Sequence, residues 1–229
     1  ADEAALDQLS HRTAAVIVEV VQAESGYKVT PPAFLTALQA RCRALDILLI
    51  VDEIQTGFGR CGHLFAHQGV GLVPDILCLG KALGGGMPLG AFIASKEKMQ
   101  SLAENPMLGH LTTFGGHPVS CAAGHAAFQV LRRESWIHDV REKGNFLRES
   151  LSGLSMTGEL SGQGLLLSLP LTSFEQVVSV QQALIQKGLL TDWFLFENKS
   201  LRLAPPLCIE PNELAHACHL IQEVIHPLL

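Results

Sequence analysis

Two short apolar runs set the strongest limit on what this chain can fold into. Ile47-Leu48-Leu49-Ile50-Val51 and Ile76-Leu77-Cys78-Leu79 contain no polar residue, and each stops abruptly, at Asp52-Glu53 and at Gly80-Lys81. Such runs are too short for buried helices and lack the alternation of a half-solvated strand, so they fit strands covered on both faces, as in the parallel sheets of α/β proteins. Pro31-Pro32 opens a helical stretch before the first run; its apolar residues recur at 3.6 up to Leu45, and Asp46 breaks it. Further strands are expected over Ala14–Val21 and Gly90–Ser95, with a turn at Glu24-Ser25-Gly26 and a glycine-rich loop over Thr56–Gly62. Short apolar strands with intervening helices imply a layered α/β architecture.

After Pro118 the texture changes. Val119–Arg133 reads as a helix of small residues, Trp136–Leu151 as a charged amphipathic helix, and Gly153–Leu171 as strands around Gly158, Gly162 and Gly164. A helix over Ser173–Lys187, a strand near Leu201–Leu203 and a final helix over Pro211–Leu229 follow. A boundary near Arg133 divides the chain into residues 1–133 and a smaller α+β domain over 134–229. Hydrophobic residues make up 48% of the 229 and charged ones only 17%, which excludes a disordered chain. No apolar run approaches the roughly 18 residues of a membrane span, so no membrane partner is expected. A formal charge of -6 without a basic cluster argues against nucleic acid. The six cysteines show no CxxC spacing and no leader segment is recognisable, which reads as a reducing, cytoplasmic setting.

Several motifs are decoys. Gly57, Gly59 and Gly62 spell GxGxxG, but no long helix follows them, as a dinucleotide site requires. A phosphate-binding loop ending at Lys81 would need glycine where Asp75 stands and Ser or Thr where Ala82 stands. His216, Cys218 and His219 crowd one helix, but Cys218 stands one and two positions from the histidines and shares no face with them, so no metal site is expected. Asp52 and Lys81 are different: both are charged where the pattern predicts burial. Alternation sends Asp52 and Glu53 to opposite faces, so only one serves a given site. In open α/β sheets, ligands bind beyond the carboxyl ends of strands, where these residues lie. Of the seven lysines, Lys81 alone joins an apolar strand to a glycine cluster, Gly84-Gly85-Gly86. A buried Asp52–Lys81 ion pair is the structural alternative, though such pairs stabilise weakly. A buried lysine of lowered pKa suits nucleophilic work.

Three segments carry a resemblance. Asp52-Glu53-Ile54-Gln55-Thr56-Gly57-Phe58-Gly59-Arg60, Gly80-Lys81-Ala82-Leu83-Gly84-Gly85-Gly86-Met87-Pro88-Leu89-Gly90 and Thr112-Thr113-Phe114-Gly115-Gly116-His117-Pro118 resemble, in that order, the cofactor, lysine and following motifs of class III pyridoxal-phosphate-dependent aminotransferases. The likeness extends to Glu19-Val20-Val21-Gln22-Ala23-Glu24-Ser25-Gly26 and to Arg202-Leu203-Ala204-Pro205-Pro206-Leu207. It implies the α/β fold-type I of pyridoxal-phosphate-dependent transferases: a three-layer αβα large domain, incomplete here, and a small α+β domain.

The resemblance also implies roles. Lys81 would be the catalytic residue, holding pyridoxal 5'-phosphate through its amine and moving a proton. Asp52 would pair with the pyridine nitrogen, and Gln55 with the phenolic oxygen. Thr112 and Thr113 would complete the cofactor set; Thr113 would reach the phosphate of the neighbouring subunit's cofactor, which implies a homodimer. Arg202 would grip a substrate carboxylate, and Glu24 would pair with that arginine. The structural alternatives are a surface arginine on a strand and a turn carboxylate. The implied activity moves an amino group from ornithine, acetylornithine or a related ω-amino compound to a 2-oxo acid such as 2-oxoglutarate. An aminomutase or racemase of the same fold is an alternative, as is a non-catalytic fragment that binds a partner chain. The family's phosphate cradle and its aromatic ring stacked on the cofactor come from earlier segments that do not occur here. The chain therefore reads as the C-terminal part of an aminotransferase, its low charge reflecting faces built to meet the rest of the subunit and a second subunit.

Overall fold

The computed structural model describes residues 4–107 and 109–229. In chain order the elements are α1 (Ala4–Asp7), β1 (Ala15–Val18), β2 (Val21–Gln22), β3 (Lys28–Val29), α2 (Pro32–Leu45), β4 (Leu48–Asp52), α3 (Ala66–Gly69), β5 (Ile76–Leu79), β6 (Ala91–Ala94), α4 (Lys96–Glu104), α5 (Pro118–Arg133), α6 (Trp136–Leu151), β7 (Ser161–Gln163), β8 (Leu166–Pro170), α7 (Phe174–Gln186), β9 (Ser200–Leu203) and α8 (Pro211–Ile225). They form two compact units. One comprises Ala1–Val20, Thr30–Phe58 and Phe65–Glu134; the other comprises Val21–Val29, Gly59–Leu64 and Ser135–Leu229. Among the described residues, no helix is long and apolar enough to cross a membrane.

In the first unit, β1, β4 and β5 pair in parallel and β6 closes the sheet antiparallel, in the order β1-β4-β5-β6. The crossover from β1 to β4 is α2. Pro32 begins it, where a missing N–H costs nothing, and Leu35, Leu38 and Cys42 are buried along one face. Asp46 ends it in a left-handed conformation, at φ 56°. The expected strand over Ala14–Val21 is shorter: β1 stops at Val18, and Val21 opens the β2–β3 hairpin instead. Thr30 fixes that break, its hydroxyl donating to the Glu19 carbonyl (2.9 Å) and its N–H to that of Val20 (2.9 Å).

Within this chain the strands are covered on one face. Register puts Ile17, Ile50, Ile76 and Ala94 in one row, and Val18, Val51, Leu77 and Ile93 in the next. Val51 and Leu49 are buried on the second face, whereas the first face, which carries Ile17 and Asp52, holds no buried residue. Ile17 is 63% exposed. One side of this sheet is packed and the other is open, and Asp52 stands on the open side.

In the second unit, β7, β8 and β9 form an antiparallel sheet. Leu167, Leu169, Leu201 and Leu203 of the sheet pack with Leu147 and Leu151 of α6, Val177, Val180 and Leu184 of α7, and Leu214, Ile221 and Ile225 of α8. Apolar spacing of three and four along each helix produces this single core. Ser173 caps α7 by accepting from the Gln176 N–H (3.3 Å), and the Glu213 carboxylate folds back to the Glu210 N–H at the start of α8 (2.9 Å).

Candidate active site

The carboxyl ends of β4 and β5 lie side by side. Asp52 pairs with Cys78, and the Glu53 N–H donates to the Cys78 carbonyl (2.9 Å). The following loops touch: a Cβ placed on Gly80 would stand 3.2 Å from Ile54 Cγ2. The edge that bears Asp52 and Gln55 is therefore also the edge from which Lys81 departs.

The two carboxylates at the end of β4 separate as alternation requires. Glu53 is fully buried and takes four hydrogen bonds, from Thr56 Oγ1 (2.5 Å), the Ala66 N–H (3.0 Å), the His67 N–H (2.7 Å) and His67 Nδ1 (3.0 Å). Burial pushes its carboxyl up, but the bonds from His67, Thr56 and Ala66 outweigh burial and hold it below the ordinary range. Glu53 thus anchors the loop that carries Gln55. Asp52 is half-buried; its Oδ1 accepts from the Ile54 N–H (2.8 Å), and among the described residues Oδ2 has no hydrogen-bond partner. Among the described residues the buried Gln55 Oε1 accepts no hydrogen bond, which leaves it open to a partner from outside the chain.

Lys81 is exposed, not buried as the apolar run before it suggested. The reason is its position two residues past β5, at the head of a 3-10 turn (Lys81–Gly84), where it no longer follows the strand's alternation. No ion pair joins it to Asp52 among the described residues. Its backbone is left-handed, at φ 46°, a conformation rare outside glycine. The glycines beyond it serve packing. Gly85 has φ 56°, and a Cβ there would lie 2.5 Å from the Ala123 carbonyl oxygen of α5. Small residues on α5 admit this turn, which explains the texture of that helix. Thr112 and Thr113 lie in an exposed loop that also carries Leu111 (77% exposed) and Phe114 (79%).

A second cluster lies within the other unit. Arg202, on β9, donates from Nη1 to Glu24 Oε1 (3.2 Å) and from Nε to the Tyr27 hydroxyl (2.8 Å). Its guanidinium carbon is 5.5 Å from the Tyr27 ring centre and 5.6 Å from that of Phe194, and the two rings meet edge to face. Burial works against the arginine's charge, but Tyr27, Glu24 and Asp192 outweigh it and hold the pKa above the ordinary value. Burial pushes the Tyr27 phenol up, so it remains protonated. Arg202 and Glu24 are neither an isolated surface arginine nor a free turn carboxylate.

Sequence reasoning missed Tyr27 and Arg60. Tyr27 is the only tyrosine of the chain, and a lone polar aromatic beside a turn was the signal available. Arg60 donates to the carbonyls of Leu165 (2.5 Å) and Pro205 (2.7 Å), and burial lowers its pKa. It clamps the segment that follows β9. Its only sequence signal was an arginine within the glycine-rich loop.

The family model for class-III aminotransferases matches residues 3–225. An acetylornithine aminotransferase of Aquifex aeolicus is 40% identical over 217 residues, which is 95% of this chain and 55% of that protein. A putrescine aminotransferase of Pectobacterium atrosepticum is 39% identical, covering 94% and 47%. Among solved structures, the ornithine aminotransferase of Toxoplasma gondii superposes with a TM-score of 0.88 at 32% identity, over 99% of this chain and 54% of that one. The chain spans about half the length of the curated relatives it matches.

Proposed function

The chain belongs to the class-III aminotransferase family, and from that membership we propose that it carries the cofactor lysine and the carboxylate-binding arginine of an aminotransferase. The donor is an ω-amino compound such as ornithine or acetylornithine, and the acceptor is a 2-oxo acid such as 2-oxoglutarate. The observation that carries this reading is the gathering at one sheet edge of Asp52, Lys81 and the Gln55 amide with its buried, unpartnered oxygen. Class-III aminotransferases use pyridoxal 5'-phosphate, and this edge suits it: among the described residues it offers a carboxylate oxygen and an amide oxygen without a hydrogen-bond partner and an amine in no ion pair. When bound, the cofactor supplies an electrophilic carbonyl carbon and a ring that draws negative charge from the substrate carbon.

The chain's own residues divide the remaining work. Lys81 holds the cofactor through Nζ and, when free, takes and returns the proton at the substrate carbon. Asp52 Oδ2 keeps a proton on the ring nitrogen. Gln55 meets the ring oxygen. Thr112 and Thr113 serve the phosphate, Thr113 that of a neighbouring subunit, in a homodimer. Arg202 receives the substrate carboxylate in the bidentate manner only a guanidinium allows, and Glu24 covers it otherwise. The six cysteines, with no CxxC spacing, suit a reducing, cytoplasmic setting.

The test is product formation. The chain is incubated with pyridoxal 5'-phosphate and ornithine or acetylornithine, with and without 2-oxoglutarate, and glutamate is measured. We expect glutamate only with the oxo acid, and none from Lys81→Ala. Isomerised or racemised donor without an acceptor, or no product at all, overturns the reading.

A further inference from the structure

Arg202 offers five N–H groups on a planar fork, and a carboxylate engages two neighbouring ones along an edge. One usable edge joins Nε to Nη2; the other joins Nη1 to Nη2. Tyr27 occupies Nε through its hydroxyl (2.8 Å), and Glu24 occupies Nη1 (3.2 Å). Each edge therefore has one donor already taken, but by very different groups: a neutral phenol on one side and a carboxylate on the other.

Glu24 is held by more than the arginine. Its Oε2 accepts from the Leu195 N–H (3.2 Å), and its backbone carbonyl accepts from the Phe196 N–H (3.0 Å). The same segment is tied at its start to Arg202, whose backbone N–H donates to the Asp192 carbonyl (2.8 Å). Tyr27 is fixed as well: it is fully buried, its ring 4.8 Å from that of Phe194. It cannot swing aside to free Nε, so an incoming carboxylate is directed to the edge that Glu24 guards.

We propose that Tyr27 is a specificity-determining positioning residue: by closing the Nε edge of Arg202 it makes Glu24 a direct competitor of the substrate carboxylate. The inference rests on the carboxylate-binding reading of Arg202 given above. Without the Tyr27 hydroxyl, Nε loses the bond that fixes the guanidinium, which can then turn to present a free edge to a carboxylate while Glu24 stays in place. Discrimination between a donor that presents an amine near Glu24 and an acceptor that presents a carboxylate then weakens. Arg202 and Glu24 remain 16% and 27% exposed as side chains, enough for a small ligand to reach them.

The test uses glutarate, an unreactive dicarboxylate, as the probe, with calorimetry and the fluorescence of Trp193, which lies in the Asp192–Phe196 segment. Native chain, Glu24→Gln, Tyr27→Phe and the double variant are compared. Tyr27→Phe keeps the ring against Phe194, and thermal unfolding verifies that each variant folds. Glu24→Gln should tighten glutarate about tenfold, Tyr27→Phe by several-fold, and Glu24→Gln added to Tyr27→Phe by less than about threefold, the mark of two residues acting on one event. Independent, multiplying effects, or a Tyr27→Phe chain with native affinity, overturn the role of Tyr27 alone. Failure of glutarate to bind any variant overturns the carboxylate reading of Arg202, and this inference with it.

Discussion

Glu53 is the residue whose loss should be felt most at the sheet edge. Its side chain is fully buried and serves four donors, two of them backbone N–H groups at the start of α3. A hydrogen bond to a charged acceptor contributes about 1.5–3 kcal/mol, and a stranded buried donor costs about 1–3 kcal/mol. Water reaches part of what is lost, so removing the carboxylate should cost about 3–5 kcal/mol, as for one partner of a buried charged arrangement. Glu53→Ala is expected at that level, and Glu53→Gln, which keeps the shape and one acceptor oxygen, at about half of it. Urea unfolding at neutral pH, read as a shift of midpoint at constant slope, measures both. The pH dependence adds an independent check. The folded-state pKa of Glu53 lies below its unfolded value of about 4.3. Its contribution is therefore complete above that pH and is lost as pH falls through the folded value. Glu53→Gln should flatten stability across this acid window. A loss below about 1 kcal/mol in Glu53→Ala, or a native acid slope in Glu53→Gln, would refute the assignment of Glu53 as the anchor.

Three further outcomes are expected. Gly85→Ala forces a side chain into a left-handed conformation and against the Ala123 carbonyl, and should cost on the order of 3 kcal/mol in a thermal melt. Arg60→Met strands the Leu165 and Pro205 carbonyls and should destabilise by about 2–4 kcal/mol in urea. Asp52→Asn keeps the shape of the strand end and should leave stability within about 1 kcal/mol. It should slow amino transfer by roughly 100-fold or more, measured as glutamate formed per unit time.

The frame of the fold was legible because its signals are local and strong. Uninterrupted apolar runs announced β4 and β5, and Pro31-Pro32 and Asp46 bracketed α2. Helix α4 was missed because it is short and its apolar stripe is only Met99, Leu102 and Ala103, none of them buried; Ser95 caps it from outside (3.3 Å). Val21 was joined to the wrong strand because what ends β1 is Thr30, eleven residues beyond Glu19, and sequence pattern carries no such contact. In the candidate site, Asp52 and Lys81 stood out as charges at the ends of apolar runs. The exposure of Lys81 did not, since periodicity says nothing once the strand has ended. Tyr27 acts through Arg202 across 175 residues, and only the folded chain brings the two together. Arg60 works the same way, its value lying in two distant carbonyls.

Lys81, at the joined ends of β4 and β5, is proposed to hold the cofactor. Adding pyridoxal 5'-phosphate to the chain, reducing with borohydride and mapping the adduct by peptide mass tests this. One dominant phosphopyridoxyl adduct is expected, on Lys81, together with a visible absorption band that disappears in Lys81→Ala. Adducts spread over the other six lysines, or a band that survives Lys81→Ala, would contradict it.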